Sequence, residues 1–284
     1  MDIFQIDSDV VRSAYQGEQN FLIAFDERYA AEGLCAVYFS SNLIYYPNNE
    51  KFFSENILRK NRYEWYGLRI PRVHKHIYLR DIKKQWYLTG INSILDAPWK
   101  LADWLASETQ GYSVITVGSS AGGYAAVLYG QLLGAVRTYC FNPQFEINSL
   151  LQTSNAETDP ILFRNAANPG LRRYYDLRPF ITQPGNIFYF HSNGSQWDIE
   201  QLAHIRDLGV NVVSFRTKTH GTPVLKSTLA PLLALPEDRL RKLAGKTTNP
   251  FLFSYQLEGP LKTIASIYQQ VAAKVKHEFK QLRG

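Results

Sequence analysis

The 284-residue chain predicts an α/β domain, with a mostly parallel central sheet flanked by helices. Three observations carry that expectation. Between residues 112 and 141 a strand (Tyr112–Val117), a helix (Tyr124–Leu133) and a second strand (Ala135–Phe141) follow one another almost without spacers. The alternation resumes with strands at Asn186–His191 and Asn211–Phe215 around a helical Ile199–Leu208, and strict alternation means parallel strands joined by right-handed crossovers. Finally, the length suits one large domain with a substantial core, so residues 1–284 are read as a single unit.

In chain order, Phe21–Phe25 is an early strand and Leu34–Phe39 a second, buried one that ends in Ser40-Ser41-Asn42. His76–Leu79 is a strand ending in Arg80-Asp81. Strand ends in open α/β sheets face the ligand crevice, so Arg80 is expected to meet an anionic ligand, with an Arg80–Asp81 ion pair as the alternative. Asp96-Ala97-Pro98 opens a helix through about Ser107, because an Asp cap followed by Pro in the first turn is a start signal. Residues 144–183 break the alternation. Arg172, Arg173 and Tyr174 stand there among prolines, so the segment is expected to form a short lid whose basic and aromatic residues touch an anionic or sugar-containing ligand; an ordinary surface excursion is the other reading. A helical pattern covers Pro231–Ala244, a turn-rich patch reaches Pro260, and residues 261–284 are expected to form an extra amphipathic helix carrying Lys262, Lys274, Lys276, Lys280 and Arg283.

The chemistry concentrates at Thr116-Val117-Gly118-Ser119-Ser120-Ala121-Gly122-Gly123. A strand, a serine between glycines at Gly118-x-Ser120-x-Gly122, and a helix form a nucleophile elbow, which points the serine hydroxyl out above the sheet. The segment lacks the Gly-Lys-Ser/Thr ending of a P-loop and the spacing of a dinucleotide site. A serine needs a base held by an acid, and with this architecture the chain order is Ser, Asp or Glu, His. Among the later histidines, His204 lies within a predicted helix and His191 ends a strand ahead of the good acids. His220, on the loop after the last core strand and followed by Gly221, is the expected base. Asp198, in the loop after the penultimate strand, is the expected acid, although it could also cap the following helix; Asp176 and Asp207 are substitutes. The oxyanion is expected to meet the Ala121 amide and an amide of Ser40 or Ser41.

With Gly-Ser-Ser-Ala-Gly-Gly at 118–123, Asn142-Pro143-Gln144 ending the next strand and Gly194-Ser195-Gln196-Trp197-Asp198 before a helix, the chain resembles the α/β-hydrolase superfamily over most of residues 20–235. More narrowly it resembles bacterial capsular polysaccharide O-acetyltransferases. That resemblance implies transfer of an acetyl group from acetyl-CoA, as co-substrate with no bound cofactor, to a glycan or other hydroxyl-bearing acceptor through an acyl-serine. The chain departs from the lipases in lacking a His-Gly-Gly-Gly oxyanion motif. A carboxylesterase or deacylase using the same residues is the alternative, and a non-catalytic module of a glycan synthesis complex is the third reading.

A formal charge of +6 favours anionic partners, and no nucleic-acid motif accompanies it. The last helix is expected to cover a sheet face, with docking on capsule-synthesis enzymes or the inner membrane surface as the other reading. No apolar run has membrane-spanning length and the start lacks the regions of a signal peptide, so a cytoplasmic location is expected, with the periphery of the inner membrane as a further reading. Cys35 and Cys140 fall within strands, as buried free thiols do, and no spacing of His, Cys and Glu implies a metal.

Overall fold

Eight strands form one sheet in the order β1-β3-β2-β4-β5-β6-β7-β8 in a computed structural model, which describes residues 3–17 and 19–268. The strands are β1 (Phe21–Phe25), β2 (Leu34–Phe39), β3 (Lys75–Leu79), β4 (Ser113–Ser119), β5 (Arg137–Phe141), β6 (Ile187–Ser192), β7 (Asn211–Phe215) and β8 (Thr247–Thr248). β1 runs antiparallel to β3 and every other pairing is parallel. The chain moves outward from β2 to β3 and then returns to place β4 on the other side of β2. The carboxyl ends of β2 and β4 therefore flank a topological switch point, where open α/β sheets place their ligands.

The helices used below are α1 (Asp9–Gly17), α2 (Pro98–Glu108), α3 (Ala121–Leu132), α4 (Gln196–Ile205), α5 (Leu229–Leu233), α6 (Glu237–Leu243) and α7 (Pro250–Glu258). Both sheet faces are covered, which is why the strands read as apolar runs without polar alternation. Along β2, Cys35, Val37 and Phe39 enter one core with α2 and α3, while Ala36 and Tyr38 enter the other with Leu229, Leu232, Leu240 and Phe253 from α5, α6 and α7. Each large apolar side chain buried in these layers contributes about 1.5–3 kcal/mol. Among the described residues no helix is long and apolar enough to cross a membrane.

Local chemistry moves several predicted boundaries. Ala97, rather than Asp96, occupies the N-cap of α2; Pro98 takes the first turn and Asp96 pairs with Lys100 at 2.7 Å. The helical pattern at 231–244 splits into α5 and α6, because Pro236 lacks the N–H that a continuous helix would use and instead caps α6. The patch read as turn-rich contains α7, started by Asn249 Oδ1 accepting from the amides of Phe251 and Leu252, with Pro250 in the first turn. Residues 260–268 are helical, and the remainder of the expected 261–284 helix lies outside the described residues. Segment 144–183 is tied at its ends by the Glu146–Asp176 bridge and sends Ile161, Leu162, Tyr174, Tyr175 and Leu177 into the core beside α3.

Candidate active site

The turn from β4 into α3 is a strained one. Ser120 has φ 53° and ψ −124°, outside the helical and extended regions, and its amide is fixed to Phe141 O at 2.9 Å. Two glycines make the turn sterically feasible: a Cβ on Gly118 would lie 1.9 Å from Gly122 O, and one on Gly122 would lie 2.3 Å from Phe39 O. The nucleophile candidate is thus held against the end of β2 with its hydroxyl at the N-terminus of α3, where the helix dipole favours negative charge.

Three side chains distant in sequence meet there. Ser120 Oγ lies 2.8 Å from His220 Nε2, and His220 Nδ1 lies 2.8 Å from Asp198 Oδ1. Asp198 is fully buried, and its Oδ2 has no hydrogen-bond partner among the described residues. Asp198 stands in the first turn of α4, but the cap of that helix is Ser195, whose Oγ accepts from the Asp198 amide at 3.4 Å. The carboxylate is therefore left to the imidazole. Trp197 stacks on the His220 ring, with centroids 5.0 Å apart.

The His220 loop is held by the ends of β5 and β6. Asn142 Nδ2 donates to Ser192 Oγ at 2.7 Å, Gly221 O at 3.0 Å and Thr219 O at 3.2 Å, while its Oδ1 accepts from the Ser192 amide at 2.8 Å. Ser192 Oγ donates to Thr219 O at 2.6 Å. Backbone carbonyls on both sides of His220 are thereby bound to two buried polar side chains, which fixes where the imidazole stands.

The other candidate histidines and acids are engaged elsewhere. His204 Nε2 meets Asp176 at 2.8 Å, Asp207 pairs with Arg178, and His191 Nδ1 lies 3.2 Å from Ser214 Oγ. Arg80 does not face the crevice. It is 1 % exposed, donates Nε to Asn20 Oδ1 at 2.9 Å and lies over the Tyr63 ring, while the Asp81 carboxylate accepts the amides of Lys83, Lys84, Gln85 and Tyr87. Strand-end position alone did not reveal that this guanidinium would be consumed by the loops around it. Tyr174 is likewise buried, stacked on Phe180 with the Arg173 guanidinium over its ring, so it belongs to the core, whereas Arg172, which donates to Ala166 O, and Arg173 are exposed.

The expected oxyanion amides divide. Ala121 opens α3, so its N–H has no intrahelical acceptor. The Ser40 amide donates to Leu79 O at 3.0 Å and the Ser41 amide to Glu64 Oε2 at 2.5 Å, so both are occupied. Burial pushes the Glu64 carboxyl above its usual range, against the opposing effect of its hydrogen bonds from Ser41. Gln144, to which the sequence reading assigns no role at the site, has its side chain at the serine: Nε2 is 3.5 Å from Ser120 Oγ and 3.3 Å from His220 Nε2, and Oε1 accepts from Trp86 Nε1 at 3.0 Å. Its place directly after a strand end neighbouring the elbow was the available signal.

A cleft of ≈ 900 Å³ lies beside His220, bordered by Thr219 and Thr222 and lined by Glu64 and the basic residues Arg62, Arg216 and Lys226. Among the described residues no group of three His, Cys, Asp or Glu side chains could hold a metal ion.

No family model matches the chain, and no curated protein matches it. Among solved structures, it is similar to a capsule O-acetyltransferase of Neisseria meningitidis serogroup A (13 % identity, 69 % of this chain and 82 % of that one, TM-score 0.47). It is also similar to MPT51 of Mycobacterium tuberculosis (14 %, 79 % and 93 %, TM-score 0.43) and to an inhibited esterase B of Lactobacillus rhamnosis (11 %, 97 % and 94 %, TM-score 0.41). The strand order, the serine elbow after the third parallel strand and the flanking helices make the fold one of the α/β-hydrolase type.

Proposed function

We propose that this protein is a serine acyltransferase that moves an acetyl group from acetyl-CoA to a hydroxyl of a surface glycan. The observation that carries the reading is the continuous hydrogen-bonded line from Ser120 Oγ through His220 to buried Asp198, set on a strained elbow. Asp198 holds the proton on His220 Nδ1, which leaves Nε2 free to accept. His220 Nε2 takes the hydroxyl proton as Ser120 Oγ bonds to the thioester carbon. The carbon–sulfur bond then breaks, the sulfur receives that proton, and an acetyl-serine remains. In the second half the acceptor hydroxyl gives its proton to His220 Nε2 and attacks the ester, and the proton returns to Ser120 Oγ as the serine is released.

The choice of acetyl group and glycan acceptor is supported by the short segments at 118–123, 142–144 and 194–198 that resemble capsular O-acetyltransferases. The basic cleft beside His220 suits an anionic donor such as acetyl-CoA. On this reading the enzyme works in the cytoplasm, where it meets capsule-synthesis enzymes or the inner membrane surface. A second reading, hydrolysis of acyl esters, is favoured by the 31 % exposure of the His220 side chain, which gives water access to the acyl-serine.

Intact mass after exposure to acetyl-CoA tests the proposal. Wild type is expected to gain one acetyl group and Ser120→Ala none, and labelled acetyl is expected to reach a capsular or lipopolysaccharide acceptor. A wild type that never acquires the adduct and transfers no label, yet hydrolyses simple esters through Ser120, would establish the second reading.

A further inference from the structure

We propose that the oxyanion hole is made by the Ala121 amide and the side-chain amide of Gln144, while the Ser41 amide is permanently held by Glu64. The inference rests on the serine reading above and deepens it.

The position usually supplied by the loop after the neighbouring strand is identifiable. β2 and β4 pair with Phe39 opposite Gly118, and continuing that register by two residues sets Ser41 level with Ser120. That amide already has an acceptor in Glu64 Oε2, and the contact is doubled because the Glu64 amide donates to Ser40 Oγ at 3.3 Å. Ser40 offers nothing either, since its amide continues the sheet by donating to Leu79 O. Of the two backbone donors such a site ordinarily uses, that of Ala121 remains, and a tetrahedral intermediate with a single donor would be poorly stabilised.

Gln144 supplies what is missing. It is 1 % exposed, and its orientation is fixed by chemistry as well as packing: the indole N–H of Trp86 can only donate, so Oε1 must face Trp86 and the NH₂ group must face Ser120 and His220. The negative oxygen of the intermediate is two bonds from Ser120 Oγ, and a donor 3.5 Å from Oγ is placed to reach it.

The hydrogen bond also improves as the reaction proceeds. In the resting state one N–H of Gln144 points at the Nε2 lone pair that His220 shares with the serine hydroxyl. Once His220 has taken the serine proton, Nε2 is itself a donor and can accept nothing from Gln144. At that moment the oxyanion appears and receives the displaced N–H. A donor with a poor partner before the transition state and a charged one in it contributes to rate rather than to substrate binding.

The test uses the full chain and 4-nitrophenyl acetate, with Ser120-dependent fluorophosphonate labelling of wild type as the check on the serine reading itself. Gln144→Met keeps the bulk and removes the donor; Gln144→Ala is its companion should one fail to fold. Either is expected to lower kcat about 10²–10³-fold. KM should stay within about threefold, and affinity for a trifluoromethyl ketone analogue of the transition state should fall in step with kcat. Glu64→Ala and Glu64→Gln are expected to give no gain in kcat. Retention of more than about a tenth of wild-type kcat in folded Gln144→Met would overturn the assignment. So would a severalfold rise in kcat in Glu64→Ala, which would return the role to the Ser41 amide. A wild type that takes no label at Ser120 refutes the serine reading, and this assignment with it.

Discussion

Replacing Asn142 with Asp isolates the device that holds His220. Asn142 is fully buried and has φ 41°, which Asp tolerates as well as Asn does, so the backbone conformation is retained. What is lost is the NH₂ group. Two carbonyls, Thr219 O and Gly221 O, and the Ser192 hydroxyl would face an oxygen in its place. Leaving a buried acceptor unsatisfied costs about 1–3 kcal/mol; the Ser192 hydroxyl can serve Thr219 O or the carboxylate but not both, so two acceptors lose their donor and the expected loss of stability is about 3 kcal/mol. The new carboxyl, facing oxygens in a buried site, has its pKa raised; protonation below that pKa restores one donor, so the loss should shrink as pH falls. Loosening the loop moves the imidazole away from Ser120, and a displacement of about 1 Å corresponds to roughly 10²-fold in kcat. Urea unfolding at two pH values and ester turnover together measure both effects. Wild-type turnover in Asn142→Asp, or a stability loss that grows on acidification, would refute this account of how the base is positioned.

Asp198→Asn should leave the fold intact but reduce kcat by about 10⁴-fold, because an amide no longer fixes the imidazole tautomer; turnover kinetics with a melting curve as control will show it. His76 is buried, donates Nε2–H to Val73 O at 3.1 Å and accepts from Tyr38 at 3.0 Å, and burial holds its pKa down at about 4. The folded pKa of this base lies below the unfolded value of about 6.5, so the unfolded chain binds the extra proton first. Stability should be complete above about pH 6.5 and fall by up to about 3 kcal/mol towards pH 4, a slope that His76→Gln removes in urea titrations. Gly122→Ala should express poorly or melt far lower, since its Cβ would meet the Phe39 carbonyl at 2.3 Å.

How legible all this was depends on how local the cause is. The elbow is written in consecutive residues, and His220 followed from chain order because the other late histidines had visible alternatives. Asp198 does stand beside His220, and the helix cap read as its competing role belongs to Ser195, three residues earlier. What escaped was decided by partners remote in sequence. The Ser41 amide is taken by a carboxylate 23 residues away, and Arg80 is held by Asn20, 60 residues away. Gln144 gained its orientation from an indole 58 residues earlier, a contact that neither composition nor spacing encodes. Helix α7 differs: its start signal, Asn249-Pro250, is local but stands among turn residues such as Gly245 and Gly259.

The indole resting on the His220 ring gives the protein an optical reporter of its own chemistry. An imidazolium quenches a stacked indole more strongly than a neutral imidazole does, so on the proposed mechanism the emission of Trp197 should dim as His220 gains its proton and recover as the proton moves on. The chain has five tryptophans, and subtracting the signal of Trp197→Phe would isolate that one fluorophore. Stopped-flow fluorescence could then time proton movement in each half-reaction without any label.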